Sequence, residues 1–354
     1  MAFTMKDIAK IAGVSRQAVA AALSDVGTSK VSEKTRERVR SIAEKMHYVP
    51  NQNAKCLRGG SSNMIGIFGV PYVSVLEQSL FYEYSMELSR YGYNLTVSYG
   101  MGEKASEQAI RNLLSYGVAG IIVMSEENPM TKYKLDNVPY VFSPSSSLEG
   151  FDVAVDHAAG TCEATKALVK AGRKSAVFLV PSFMGSFYDE PSRQKFKGIV
   201  EGLKAIGVTP SILTVEECGG DGNAVVERLR QLAPDILFCG DDYLAGRMVS
   251  LLLAAGIKVP DDMMVVGYDG LSICDMCAVP LSTVVQPLKK RAANVVNLLL
   301  ERIKEGNRSP EPAGILLPSY FYPSASCGLA NEKIQKLPLY NLYSMLEVNW
   351  ANPL

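Results

Sequence analysis

Residues Val14–Leu23 read VSRQAVAAAL, directly after Gly13. Glycine tolerates the positive φ of a sharp turn. Ser15 is suited to cap a helix while Arg16 and Gln17 project from its first turn. Upstream, Met5–Ala12 predicts another helix, with Ile8, Ile11 and Ala12 on a 3.6-residue period. Thr4 is its expected cap, and Asp7 three residues on makes a short capping box. Downstream, Ser32 caps a third helix in which Val39, Ile42, Ala43 and Met46 recur at i, i+3, i+4 and i+7. Three short helices on one small core read as a helix-turn-helix head. Its second helix is the one that enters a DNA major groove, with Arg16 and Gln17 facing the base edges.

Charge agrees. Residues 1–60 carry eleven Lys/Arg and five Asp/Glu, a net of +6, while the whole chain is neutral. A basic head on an acidic body suits binding a polyanion with one end. The bland alternative, above all for Lys30–Arg40, is a solvated helix face.

The order of residues adds more. MKDIAKIAGVSRQAV, then VSEKTRERV, then YVPNQNAKCLR, resembles the head of the LacI/GalR family of bacterial transcription regulators. That family's pattern runs T-x-x-D-[IV]-A-x-x-A-G-V-S, then V-S-x-x-T-R-x-x-V, then Y-x-P-N-x-x-A-x-x-L. The resemblance implies that Arg16 and Gln17 read bases in the major groove, where Arg pairs with guanine and Gln with adenine. It implies phosphate contacts for Ser15, Ser32 and Tyr48, which set register without reading sequence. Thr4 is counted with the DNA-facing set. One departure stands out: Ala18-Val19-Ala20-Ala21 replaces the usual T-V-S-[RH], which leaves methyl contacts to thymine or no readout from mid-helix.

Asn51–Arg58 has too little apolar surface to hold a helix alone. Pro50 favours a start, and Gly59-Gly60-Ser61-Ser62 marks a flexible stop. By resemblance this segment, including Asn51 and Ala54, becomes a hinge helix on DNA, paired with its twin. Leu57 would wedge into a minor-groove base step, with Arg58 beside it. The alternative for Leu57 is a linker leucine packed on the next domain.

With 354 residues and 47% hydrophobic composition, more than one domain is expected. From Met64 onward, apolar runs read as buried strands: 64–70, 94–99, 119–124, 138–142, 175–180, 235–239, 263–267 and 281–285. Between them lie helical stretches, among them 107–116, 161–170, 194–206 and 244–255. Gly92, Gly117, Gly172, Gly207 and Gly256 stand where helices end. Such alternation implies parallel sheets covered by helices on both faces, with strands enough for two. IGIFGVP, GDDYLAG, VPDDMMVVGYDG and PLSTVVQP extend the family resemblance to about residue 328. It implies an α/β two-lobed, periplasmic-binding-protein-like effector domain that also dimerises. The expected division is 1–49 for the helix-turn-helix domain, 50–60 for the hinge helix and linker, 61–328 for the effector domain, and 329–354 for a tail of unassigned role.

Ligands in such folds sit beyond the carboxyl ends of strands. Matched motifs put Arg193, Asp241, Asp269 and Gln286 there, and Tyr72 after the first strand could stack on a sugar face. Phe183, Phe187 and Tyr188 crowd the loop before Arg193. The alternatives are a surface arginine at a helix start for Arg193, Asx caps for Asp241 and Asp269, and core plugs for the loop aromatics. Gly240 stands where several relatives carry asparagine. A neutral sugar or glycoside is the family default, and the pair Asp241-Asp242 also permits an amine-bearing ligand.

His47 and His157 are the only histidines and the seven cysteines are scattered. This speaks for a reduced cytosol and against metal sites, with Cys274-x-x-Cys277 a lone pair. The start MAFTMK has no apolar segment of the signal-peptide kind. The reading is thus a cytoplasmic, ligand-responsive regulator, expected to repress a carbohydrate-related operon from a pseudo-palindromic operator as a homodimer. It would have no cofactor, no metal and no catalytic residues. The rivals are an α/β enzyme with a nucleic-acid-targeting head and a free small-molecule binding protein.

Overall fold

The computed structural model describes residues 3–23, 31–48, 62–69, 75–134, 138–144, 148–180, 190–306 and 311–329. The chain divides into two units, Met1–Ser62 and Asn63–Leu354.

In the first unit the expected helices form: α1 (Met5–Ala12), α2 (Arg16–Ala22) and α3 (Glu33–Lys45). Gly13 takes φ 63° between α1 and α2, the turn that a side chain would strain. Ile8, Ala12, Val19, Ala22, Val39 and Ala43 make the core, with Met5, Ala9, Val14, Ile42, Met46 and Tyr48 packed around it. One expectation fails: Ile11 is 61% exposed. At 100° per residue, Met5, Ala9 and Ala12 flank one side of Ile8, and Ile11 falls on the other, beyond the reach of α2 and α3.

The second unit has two lobes. In the first lobe β1 (Met64–Gly69), β2 (Asn94–Tyr99), β3 (Gly120–Met124) and β4 (Tyr140–Phe142) form a parallel sheet in the order β2-β1-β3-β4. Around it lie α4 (Val75–Ser89), α5 (Glu103–Ser115) and the short α6 (Pro129–Lys132). β5 (Val153–Asp156) then leads into the second lobe.

There α7 (His157–Lys170), β6 (Ala176–Val180), α8 (Glu190–Leu203), β7 (Ser211–Thr214), α9 (Gly222–Leu232), β8 (Ile236–Cys239), α10 (Asp242–Ala254), β9 (Met264–Asp269) and β10 (Ser282–Val285) follow. The chain returns through α11 (Leu288–Glu305) and β11 (Ile315–Pro318), then ends in β12 (Tyr320–Tyr322). The second sheet runs β12-β10-β9-β8-β6-β7, parallel except for β12. β11 pairs with β5 in a separate parallel ribbon. α11, β5 and β11 pack on the core of the first lobe, so the chain changes lobe after β5, after β10 and after β11.

The continuous apolar runs of β3, β6 and β8 are fully buried, as parallel strands covered on both faces require. α7 and α8 pack face to face because Gly198 and Gly202 carry no side chain. A Cβ at Gly198 would strike Thr161 and the Ala158 carbonyl, and one at Gly202 would strike Thr165. Two arginines of α11 tie it to the first lobe. Arg302 grips Asp152 through two bonds of 2.6 and 2.7 Å, both side chains buried. Arg291, also buried, donates to Ser143 Oγ and to the carbonyls of Ser143 and Pro144.

Candidate nucleic-acid interface and ligand site

In the head, the Thr4 N–H and hydroxyl both donate to Asp7 Oδ2, at 2.9 and 2.7 Å. These bonds hold the Asp7 carboxyl below its ordinary range. Ser15 Oγ accepts the Ala18 N–H at 3.1 Å and Ser32 Oγ the Thr35 N–H at 3.4 Å. A capping hydroxyl keeps its own proton, so Ser15 caps α2 and can still donate to a phosphate oxygen. Arg16 and Gln17 are exposed on the first turn of α2, beside Ser15. Tyr48 is half-buried against the head core.

Not all of the head's positive charge is available to a polyanion. Arg36 donates to the Ala21 carbonyl and Arg40 to the Ala22 carbonyl, at 3.4 and 3.3 Å. They close the carboxyl end of α2, where a cation complements the helix dipole. Asn51, Ala54, Leu57 and Arg58 lie outside the described residues, as do Tyr72, Phe183, Phe187, Tyr188 and residues 330–354.

In the body, chain order reverses beside β6: β7 flanks it on one side, and β8, β9 and β10 on the other. The crevice beyond the carboxyl ends of strands at such a reversal is where open α/β sheets hold ligands. The residues converging there are Lys195, Gly240, Asp241, Asp269 and Gln286. Lys195 Nζ donates to the Gly240 carbonyl at 2.7 Å and lies 4.0 Å from the ring centre of Tyr268. Gln286 Nε2 donates to Asp269 Oδ1 at 2.8 Å. Gln286 Oε1 is buried and finds no hydrogen-bond partner among the described residues. Burial pushes the Asp269 carboxyl up to about 7 against the pull of Lys195. Asp269 has φ 118°, a region a side chain rarely adopts; strain of this kind gathers at functional sites.

The candidate residues do not all meet. Gln286 and Asp269 touch. Asp241 stands at the rim as the cap of α10, accepting the Leu244 N–H at 2.8 Å. Arg193 is exposed. Two residues along a helix is about 200°, so Arg193 points away from the face that carries Lys195. That face runs from Lys195 through Ile199 to Leu203, all buried. The signal was in the sequence: extending the Ile199–Leu203 spacing back one turn lands on Lys195.

Asp242 is no ligand acid either. It is buried, and accepts from the Leu271 N–H at 2.7 Å, the Thr283 hydroxyl at 2.6 Å and the Cys274 thiol. Cys274 is thereby tied to Asp242, and burial pushes its thiol far up. Among the described residues no group of three His, Cys, Asp or Glu is placed to hold a metal, and no helix is long and apolar enough to cross a membrane. Cavities of 440 and 610 Å3 lie elsewhere, by Glu126, Glu127 and Glu149 and between β7 and α9. Neither gathers buried groups that converge as Lys195, Asp269 and Gln286 do.

Asp242 has a consequence for stability. Burial raises its carboxyl from 3.8 to about 6, so between those values the folded chain holds a proton that the unfolded chain has released. Stability therefore falls as pH rises through the window, by about 3 kcal/mol for such a shift. Denaturant unfolding at pH 4 and 6.5 is expected to show this slope in the wild type. Asp242→Ala, although less stable throughout, should lack that component. An identical slope in both would assign the pH dependence to other groups.

The head and the body each match a known family. Residues 4–51 match the bacterial regulatory proteins of the lacI family, and residues 165–326 match the periplasmic binding protein-like domain. The chain thus joins a lacI-family regulatory head to a periplasmic binding protein-like body. It is 27% identical over 311 residues to the HTH-type transcriptional repressor PurR of Haemophilus influenzae, covering 85% of this regulator and 91% of that protein. With PurR of Vibrio campbellii it shares 29% over 317 residues, covering 85% and 92%. A solved structure of the lac repressor dimer, bound to operator and the anti-inducer ONPF, superposes with a TM-score of 0.78. That match has 23% identity and covers 92% and 99% of the two chains. The CelR–cellobiose complex matches with a TM-score of 0.62 at 21% identity, covering 92% and 99%. These structural likenesses bear on the fold: the regulator combines an N-terminal helix-turn-helix unit with a two-lobed α/β body.

Proposed function

We propose that this regulator is a transcription repressor that binds a pseudo-palindromic operator as a homodimer and responds to a small molecule held in its body. One observation carries the reading. A single chain joins a head that exposes Ser15, Arg16 and Gln17 on one helical turn to a body with Lys195, Asp269 and Gln286 converging at a sheet reversal. Residues 1–49 serve as the DNA-binding domain, 50–60 as a hinge helix whose Leu57 and Arg58 enter the minor groove, and 61–328 as the effector and dimerisation domain. Thr4, Ser32, Tyr48, Asn51 and Ala54 support the DNA contact. Tyr72 and Asp241 border the ligand, and Lys195 takes the part that sequence reading assigned to Arg193.

The site is rich in acceptors, with one cation among them: it suits a molecule that donates several hydroxyl protons and accepts from Lys195. Lac-type and CelR relatives in complex with ONPF and cellobiose, and a relative with bound ribose, support a sugar or related metabolite. The PurR relatives are named as repressors, which supports that sign. The chain works in the cytoplasm and is not an enzyme. Coupling between ligand and operator is reciprocal, about 1–3 kcal/mol or roughly 5–150-fold in affinity.

The test is selection from a pool of random duplexes, followed by a metabolite panel scored for release or tightening of the selected site. A symmetric consensus is expected, with a panel compound that shifts affinity in the wild type and not in Lys195→Met. Enrichment of no symmetric sequence at any ionic strength would sink the reading.

A further inference from the structure

The three passages between lobes are far apart in sequence, at 156–157, 286–288 and 318–320, yet all three meet the last two residues of β9. Tyr268 reaches the first and third. Its hydroxyl lies 2.8 Å from His157 Nδ1, at the start of α7, and within reach of Ser319 between β11 and β12. Ser319 Oγ in turn donates to the Asp156 carbonyl at 2.7 Å and accepts the Gly160 N–H at 3.0 Å, which ties the first and third passages together. Asp269 holds the second. Its carbonyl accepts the Gln286 N–H at 3.1 Å, and its carboxylate accepts Gln286 Nε2 at 2.8 Å.

Lys195 joins this junction to the strand-end site. Its ammonium stands 4.0 Å over the Tyr268 ring, donates to the Gly240 carbonyl, and attracts Asp269. His157, Tyr268, Asp269, Gln286 and Ser319 are all buried. Burial holds the Tyr268 hydroxyl protonated by pushing it well up, so it remains a donor to the crossover.

We propose that Tyr268 and Asp269 form a latch that clamps all three interlobe passages, and that Lys195 is the arm through which a bound ligand moves it. The inference rests on the ligand reading above for its trigger, but the latch itself is a property of the unliganded protein. A ligand oxygen that takes a hydrogen bond from Lys195 draws the ammonium off the Gly240 carbonyl and the Tyr268 face. The aromatic ring and the strained Asp269 backbone then repack, and His157, Ser319 and Gln286 move with them. Tyr268, His157 and Ser319 are positioning residues, acting on the lobes through the crossovers.

Amide hydrogen exchange on the full-length, unliganded protein tests this. Tyr268→Phe removes one hydroxyl, and Lys195→Met removes the ammonium while keeping the stem. Each is expected to speed exchange in segments 153–160 and 315–321 by about tenfold, the scale of one lost buried hydrogen bond. The double variant should go no further than the larger single one, because both act through one junction. β1 and α9, which do not touch the junction, should exchange as in wild type. Wild-type exchange at the crossovers in Lys195→Met would overturn the proposal, and so would a rise spread evenly over β1 and α9, since that is general loosening. If Tyr268→Phe fails to fold, Lys195→Met and Ser319→Ala decide by the same criteria. A metabolite panel without a hit, alongside the expected exchange pattern, would remove the ligand reading and leave the latch.

Discussion

Arg16→Ala is expected to weaken binding to the selected operator far more than binding to a scrambled duplex. Arg16 is exposed on the first turn of α2, next to the Ser15 cap that aligns that turn. A bidentate arginine–guanine contact discriminates by about 1–3 kcal/mol. The homodimer proposed above would make the contact twice, so the specific affinity should fall by roughly 2–6 kcal/mol, or some 30-fold to 10^4-fold. Non-specific binding should lose only the share of one cation per subunit, and its salt slope should drop by about one unit per phosphate contact removed. Fluorescence anisotropy on both duplexes at two salt concentrations separates the two effects. Equal losses on both would make Arg16 a phosphate contact and leave readout to Gln17 and the methyl groups of Ala18, Ala20 and Ala21.

The second large effect concerns a buried ion pair of the first lobe. Asp152 and Arg302 are an ion pair with both side chains about 5% exposed or less. Asp152 also accepts the Phe142 and Ala313 N–H groups, at 2.8 and 2.9 Å. Asp152→Ala leaves the guanidinium buried with only the carbonyls of Tyr140 and Glu311. Removing one partner of a buried pair costs about 3–5 kcal/mol. For a domain of this size that is a fall of about 10 °C in Tm, since 1 kcal/mol moves Tm by about 2–4 °C. Calorimetry measures it. A loss below 1 kcal/mol would mean that water reaches the pair and that it acts as a surface bridge. Arg302→Met with Asp152→Ala should recover part of the loss, because neither charge is then stranded.

Much of this was readable before any coordinates. The caps at Thr4, Ser15 and Ser32, the turn at Gly13 and the strand runs of β1–β4, β6 and β8–β10 are local signals, and each is a matter of a few adjacent residues. Four strands were not singled out: β5, β7, β11 and β12. They are three or four residues long, too short for a local pattern to mark them; β5 and β11 pair with each other and pack on the core of the first lobe. Motif letters point to Arg193, whereas helix phase puts Lys195 on the buried stripe of Ile199 and Leu203. Asp241 reads in the sequence as ligand contact or cap, and its bond to the Leu244 N–H shows that it caps α10. Asp242 looked like half of an acidic pair facing a ligand. Its real surroundings, Leu271 and Thr283, lie 29 and 41 residues away.

Periodicity, capping chemistry, charge and the placing of glycines point on their own to a basic three-helix head followed by parallel α/β sheets; the two-lobed arrangement is what the family resemblance implies. Those features depend on backbone sterics and on burial of one face, which act within a turn or a strand. The tertiary structure alone decided which polar groups meet. Lys195, Tyr268, Asp269, Gln286, His157 and Ser319 come from three elements and two connections, and only sheet order and helix phase bring them together. Side-chain contact between distant segments depends on how helices rotate and strands align once packed, and no short stretch of sequence encodes that.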